Sequence, residues 1–162
     1  MRRLIAVAGL VGSFVLAGYT GWGDASTGGA HTAAATVPLA ILKAKDGERL
    51  ALARVIVHGH AFPFLIDTGS SKTLVDEALA RKLHLKTVGH PIKVTGVGCS
   101  ESARKVRLSH WSIGGQRLPS IVTTSSVIAG ANGHAFGLLG SDVLSKFGTI
   151  SIDYVHGVLT LG

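Results

Sequence analysis

A mostly β, single-domain protein with two short helices is what this sequence predicts, and three observations carry the prediction. Short runs rich in Val, Ile, Leu and Ala are divided by glycine-bearing turns at Asp46-Gly47, His58-Gly59-His60, Gly114-Gly115 and His156-Gly157. Helical spacing of apolar residues occurs in two places, around Leu79 and around Val143. The chain has 162 residues, 46% of them hydrophobic and 15% charged. That composition excludes disorder, collagen and coiled coil, and the length suits one hydrophobic core.

The N-terminus reads as an export leader. Arg2 and Arg3 precede the uncharged apolar stretch Leu4 to Ala17, and small residues follow at Gly18, Gly21, Gly23 and Ala25. The apolar stretch is short for a membrane span of about 20 residues, which favours a cleaved signal over a retained anchor. Val15-Leu16-Ala17 and Gly23-Asp24-Ala25 compete as small-x-small cleavage sites, and the second lies in the more polar stretch. The predicted organisation is therefore a signal peptide or anchor at 1–25, a flexible Ala/Thr/Gly tether at 26–36 and a folded domain at 37–162. An exported location follows, periplasmic or secreted, with membrane contact only if the N-terminal segment is retained.

Val37 to Leu42 and Leu50 to Val57 read as a hairpin. Phe62 to Ile66 is a third strand, in which Pro63 predicts an edge or strand-start position. Val75, Ala78, Leu79 and Leu83 then form a short amphipathic helix, with Asp76 and Glu77 at its front and Arg81 and Lys82 at its back, matched to the helix dipole. Ile92 to Val97, Lys105 to Ile113 and Leu118 to Thr124 look like strands, and Ser125 to Ala135 like a loop. Ser141 is placed to cap a helix through Val143, Leu144 and Phe147 that Gly148 ends, and Thr149 to Tyr154 with Val158 to Leu161 close the chain as a hairpin.

Chemistry concentrates in Phe64 to Ser71, FLIDTGSS, where one carboxylate follows an apolar strand and enters a tight turn permitted by Gly69. Backbone N–H groups of the turn and the Ser70 hydroxyl are positioned to bond Asp67, while Thr68 fastens the loop, as a positioned acid or base requires. Alone, Asp-Thr-Gly is an ordinary Asx turn. It gains meaning from Phe136 to Leu144, FGLLGSDVL, downstream. Together the two segments resemble the retropepsin-like aspartic proteases, and in particular the single-domain bacterial members, over about Ala51 to Leu161. That resemblance implies the closed β-barrel half of an acid protease, Asp67 as catalyst, and Thr68, Gly69, Ser70, Leu138, Leu139 and Gly140 as its support. It also implies a flap at roughly Val94 to Ala103, with Gly96, Val97, Gly98 and Cys99 covering substrate and the glycines giving it flexibility.

This chemistry needs two carboxylates, one drawing a proton from water and the other donating a hydrogen bond to the scissile carbonyl. The chain has one Asp-Thr-Gly, and Asp76, Asp142 and Asp153 lack that context. The reading is thus an exported aspartic endopeptidase in which Asp67 of two subunits meets on the axis of a homodimer, each Thr68 bracing the opposite loop. Two carboxylates about 3 Å apart do not both ionise readily, so activity favours acidic pH. Its substrate is extended polypeptide bound as an added strand, and no metal or organic cofactor is expected. The alternative is a catalytically silent peptide-binding or assembly module of the cell envelope with the same fold.

Other features lead less far. The net charge is +7, yet the basic residues are scattered apart from Arg104, Lys105 and Arg107, and no nucleic-acid motif accompanies them. Those three residues define a further reading, an envelope domain that binds anionic polymers. His58 and His60 lack a third metal ligand, and Trp111 reads as core or interface. Cys99, the only cysteine, permits no intrachain disulfide. At a flap tip in an oxidising compartment it would link two subunits. Oxidised protein should then run as a crosslinked dimer on a non-reducing gel, and monomer alone would refute the link.

Overall fold

The alternation of buried and exposed side chains in the first strands organises the whole sheet. In the computed structural model, residues 34–43, 47–96, 99–128 and 134–162 are described. The predicted leader, most of the predicted tether, and Val97 and Gly98 of the predicted flap lie outside them. Strands β1 (Ala35–Lys43) and β2 (Arg49–Val57) form the expected hairpin, in register from Leu39↔Ala53 to Lys43↔Arg49. Along β2, Ala53, Val55 and Val57 are fully buried. His58 and Gly59, both at positive φ, then turn the chain into β3 (His60–Ile66).

Strand β3 is internal and begins at His60, contrary to the edge or strand-start position that Pro63 predicts. It lies between β2 and β10 (Gly137–Leu139), which runs parallel to it. The reason Pro63 is tolerated is local. Ladder pairing with β10 begins only at Phe64↔Gly137, and the Pro63 carbonyl accepts from Phe136 N at 2.8 Å. The missing N–H faces that same side, just beyond the end of β10, where no ladder partner is required.

Leu74 to Asp76 forms a strand, β4, where the helical reading begins at Val75. Helix α1 (Glu77–Lys82) follows, capped by the Asp76 side chain, which accepts from Ala78 N at 2.8 Å, and it buries Leu79. The hairpin β5 (Ile92–Gly96) and β6 (Cys99–Leu108) is antiparallel, closing at Gly96↔Cys99. The predicted strand Lys105 to Ile113 is divided, because His110 adopts φ 51° between β6 and β7 (Trp111–Ile113). Gly114 and Gly115 make the predicted turn into β8 (Gln116–Leu118). Pro119 separates that strand from β9 (Ile121–Ser126), and its carbonyl accepts from Trp111 Nε1 at 2.9 Å.

After β10 the second helix is α2 (Ser141–Leu144), continued by a 3-10 turn (Ser145–Phe147) that ends at Gly148. Its N-cap is Gly140, with no side-chain cap, and the predicted cap Ser141 is the first helical residue. Strands β11 (Ile150–Asp153) and β12 (Val158–Leu161) form the closing hairpin. In its turn Asp153 accepts from Val155 N, His156 N and the His156 ring. The His156 backbone hydrogen bond is the largest cause holding this carboxyl below its ordinary range, with the His156 side chain next.

The strands share one sheet in the order β11-β12-β1-β2-β3-β10-β4-β9-β6-β5. It is open, with β11 and β5 at its ends, which corrects the expectation of a closed barrel half. The two ends do not pair with each other; within the sheet, β1 divides its pairing, Ala35–Pro38 with β12 and Leu39–Lys43 with β2, while β7 pairs with β2 at Val55–Val57. Both closing strands pair within the chain.

Gly137 is where the β3–β10 contact tolerates no side chain, because a Cβ there would lie 2.1 Å from the ring of fully buried Phe64. Gly137→Ala should lower stability by about 1–3 kcal/mol through overpacking, read as a shifted urea midpoint with an unchanged slope. A wild-type midpoint would show that Phe64 moves aside freely.

Candidate active site

Asp67 stands at the first position beyond β3, and its surroundings are assembled by the insertion of β10. That strand pairs parallel with β3 through Leu139↔Ile66 and antiparallel with β4 through Leu138↔Leu74. Leu138, Leu139 and Gly140 are thereby buried against the Asp67 loop. Asp67 N donates to the Leu139 carbonyl at 3.1 Å, and Ser141 N donates to the Ser70 carbonyl at 2.8 Å. The two segments singled out in the sequence meet through their backbones.

The carboxylate is oriented through one oxygen. Asp67 Oδ1 accepts from Gly69 N at 3.0 Å and from Ser70 N at 3.1 Å. Oδ2 accepts from no group among the described residues, and the side chain is half-buried. The predicted role of the Ser70 hydroxyl is corrected: it donates to the Lys72 carbonyl at 2.9 Å, an acceptor two residues on that the turn brings within its reach. It thus shapes the turn without touching the carboxylate. Thr68 and Gly69 are exposed.

Behind the loop lies a network that sequence reasoning missed. Thr73, fully buried, donates its hydroxyl to Asp142 Oδ1 at 2.8 Å, and its backbone N–H donates to the same oxygen at 2.8 Å. The Thr73 hydroxyl in turn accepts from Gly140 N at 3.1 Å, and the Thr73 carbonyl accepts from the Thr123 hydroxyl. The sequence signal was a carboxylate in the first turn of a helix directly after Gly140, which suggests a helix start and says nothing of a partner far back in the chain.

The other described aspartates are engaged elsewhere. Asp76 caps α1, Asp142 holds Thr73 and Asp153 shapes the final turn. One chain therefore presents one free Asp-Thr-Gly carboxylate among the described residues. The segment predicted as a flap forms the β5–β6 hairpin, with Gly96 and Cys99 at its closing pair. No group of three His, Cys, Asp or Glu suited to a metal occurs among the described residues. His58 instead packs edge-on against His110, with 6.0 Å between ring centroids.

A family model described as aspartyl protease matches residues 53–143, a span that holds both Asp67 and the Leu138-Leu139-Gly140 segment. Among solved structures, a retropepsin-like aspartic protease from Rickettsia conorii superposes with a TM-score of 0.56 at 19% identity, covering 81% of this chain and 100% of that one. The retroviral protease-like domain of Ddi1 from Leishmania major superposes with a TM-score of 0.48 at 13% identity, covering 69% of this chain and 87% of the other. The first likeness establishes the retropepsin-like fold. No curated protein sequence matches the chain.

Thr73→Val keeps the shape of the buried side chain but leaves Gly140 N without its acceptor and Asp142 with one donor fewer. A loss of about 1–3 kcal/mol is expected, the cost of a buried group left unsatisfied. Denaturant unfolding checks it, with Thr73→Ser recovering most of the loss.

Proposed function

This chain belongs to the aspartyl protease family, and from that premise we propose that it is an exported aspartic endopeptidase that works as a homodimer. The family and the retropepsin-like fold support a protease-type function. The observation that carries the finer reading is the state of Asp67, held through Oδ1 by two backbone N–H groups while Oδ2 is left open. A carboxylate fixed in this way has one oxygen ready to share a proton with a partner.

In the proposed dimer that partner is Asp67 of a second copy, and one proton is shared between the two carboxyls. The ionised member takes a proton from a water molecule as its oxygen bonds to the peptide carbon. The protonated member donates a hydrogen bond, and then its proton, to the carbonyl oxygen. Collapse of the tetrahedral diol breaks the C–N bond as the protonated carboxyl gives its proton to the nitrogen and a diol hydroxyl gives its proton to the ionised carboxyl, so that the dyad again holds one proton. Extended polypeptide, held as an added strand beneath the β5–β6 hairpin, is the substrate class. The leader at 1–25 would deliver this activity to the periplasm or exterior.

Cleavage of a mixed peptide library between about pH 3 and 8, at several protein concentrations, tests the proposal. Activity should favour acid, rise faster than linearly with protein, and fall at least about 100-fold in Asp67→Asn. Wild-type cleavage by that variant would exclude the dyad. An inert protein that sediments as a dimer would instead identify the silent binding module.

A further inference from the structure

Away from the Asp67 loop, a half-open cleft of about 680 Å³ lies between α1, the segment that follows it, and the adjoining parts of β6 and β9. Its volume is that of a small-molecule site. Its walls are fixed by main-chain bonds, since Val88 N donates to the Lys105 carbonyl at 2.8 Å and Arg107 N to the Lys86 carbonyl at 2.9 Å. Leu85 and Val106, both buried, give it an apolar floor.

Polar groups on the cleft are unevenly satisfied. Arg81 is paired with Glu77 at 3.0 Å, so these two charges offset each other. Arg104 and His84 are exposed on the rim, and neither side chain has a hydrogen-bond or ion-pair partner among the described residues. Ser125 lines the cleft at 4% exposure, and its hydroxyl has no partner among the described residues either. That hydroxyl is open to the cleft, since no buried side-chain polar atom among the described residues lacks a partner, and a group entering the cleft can bond it. The alternation of β6 also separates the basic triplet seen in the sequence. Arg104 and Val106 face the cleft, whereas Lys105 and Arg107 fall on the opposite face, which leaves no continuous basic stripe for a polymer.

We propose that this cleft binds a small monocarboxylate carried on a short apolar body, with the carboxylate on Arg104 and Ser125 and the body over Leu85 and Val106. The guanidinium fork matches a carboxylate. With Arg81 paired to Glu77, Arg104 is, among the described residues, the one guanidinium of the cleft left to meet an anion, which favours a monoanion over a phosphate dianion. The site is independent of the chemistry at Asp67.

Octanoate is the probe, titrated calorimetrically into the full chain with acetate and octanol beside it. Saturable binding of one octanoate per chain is expected, with acetate and octanol each at least about tenfold weaker, since each lacks one half of the recognition. Arg104→Gln should weaken octanoate at least about tenfold and Ser125→Ala about threefold, while Asp67→Asn leaves it unchanged. Absence of saturation at millimolar octanoate would overturn the proposal. So would octanol binding as tightly as octanoate, or wild-type affinity in Arg104→Gln with an unaltered circular dichroism spectrum.

Discussion

Gly140 lies against the backbone of Lys72 so closely that a Cβ on it would stand 2.5 Å from the Lys72 carbonyl carbon. The active-site architecture depends on this approach. It lets β10 run between β3 and β4, brings the Leu139 carbonyl to Asp67 N, and places Gly140 N on the Thr73 hydroxyl. A side chain here would have to displace backbone, which cannot yield as a flexible side chain can. The loop that carries Asp67 is therefore held from behind by main-chain groups and by one buried threonine. Its orientation does not rely on long side chains, whose rotamer entropy would blur it.

The charge arrangement follows the same economy of parts. Two N–H groups on Oδ1 fix the rotation of the Asp67 carboxyl, while Oδ2 stays open. The other described aspartates are bound into caps and turns, so a second acid of the required kind is not built within the described residues. In the proposed homodimer, symmetry would supply the second carboxylate in an identical backbone cradle.

Most strands were legible because their apolar runs are bounded by glycine turns, and Asp67 was legible because its motif is local. What escaped the sequence is non-local. Pro63 signals an edge or a strand start, yet it sits inside central β3, where its missing N–H is tolerated because ladder pairing with β10 begins only at Phe64↔Gly137. His110 gives little warning of the break at φ 51° between β6 and β7, since positive φ stays uncommon for any non-glycine residue even though histidine is enriched there. Asp142 looked like an ordinary acidic residue at a helix start, and its partner Thr73 is brought to it by the strand insertion alone. The closed barrel was implied by resemblance. It gives way to an open sheet whose ends, β11 and β5, do not pair with each other, a property of long-range pairing that no local pattern encodes.

The division of β1 between β12 and β2 also bears on when the protein can exist as a folded object. The first described strand shares its ladder with the last, β12, across nearly the whole described chain. Such distant pairing carries a large loop-closure entropy and slows folding. On the ribosome, β1 emerges long before its partner and waits with half of its hydrogen-bonding edge unmet. Completion of the sheet must therefore follow synthesis of β12, and until then the Ala35–Pro38 edge of β1 stays unpaired.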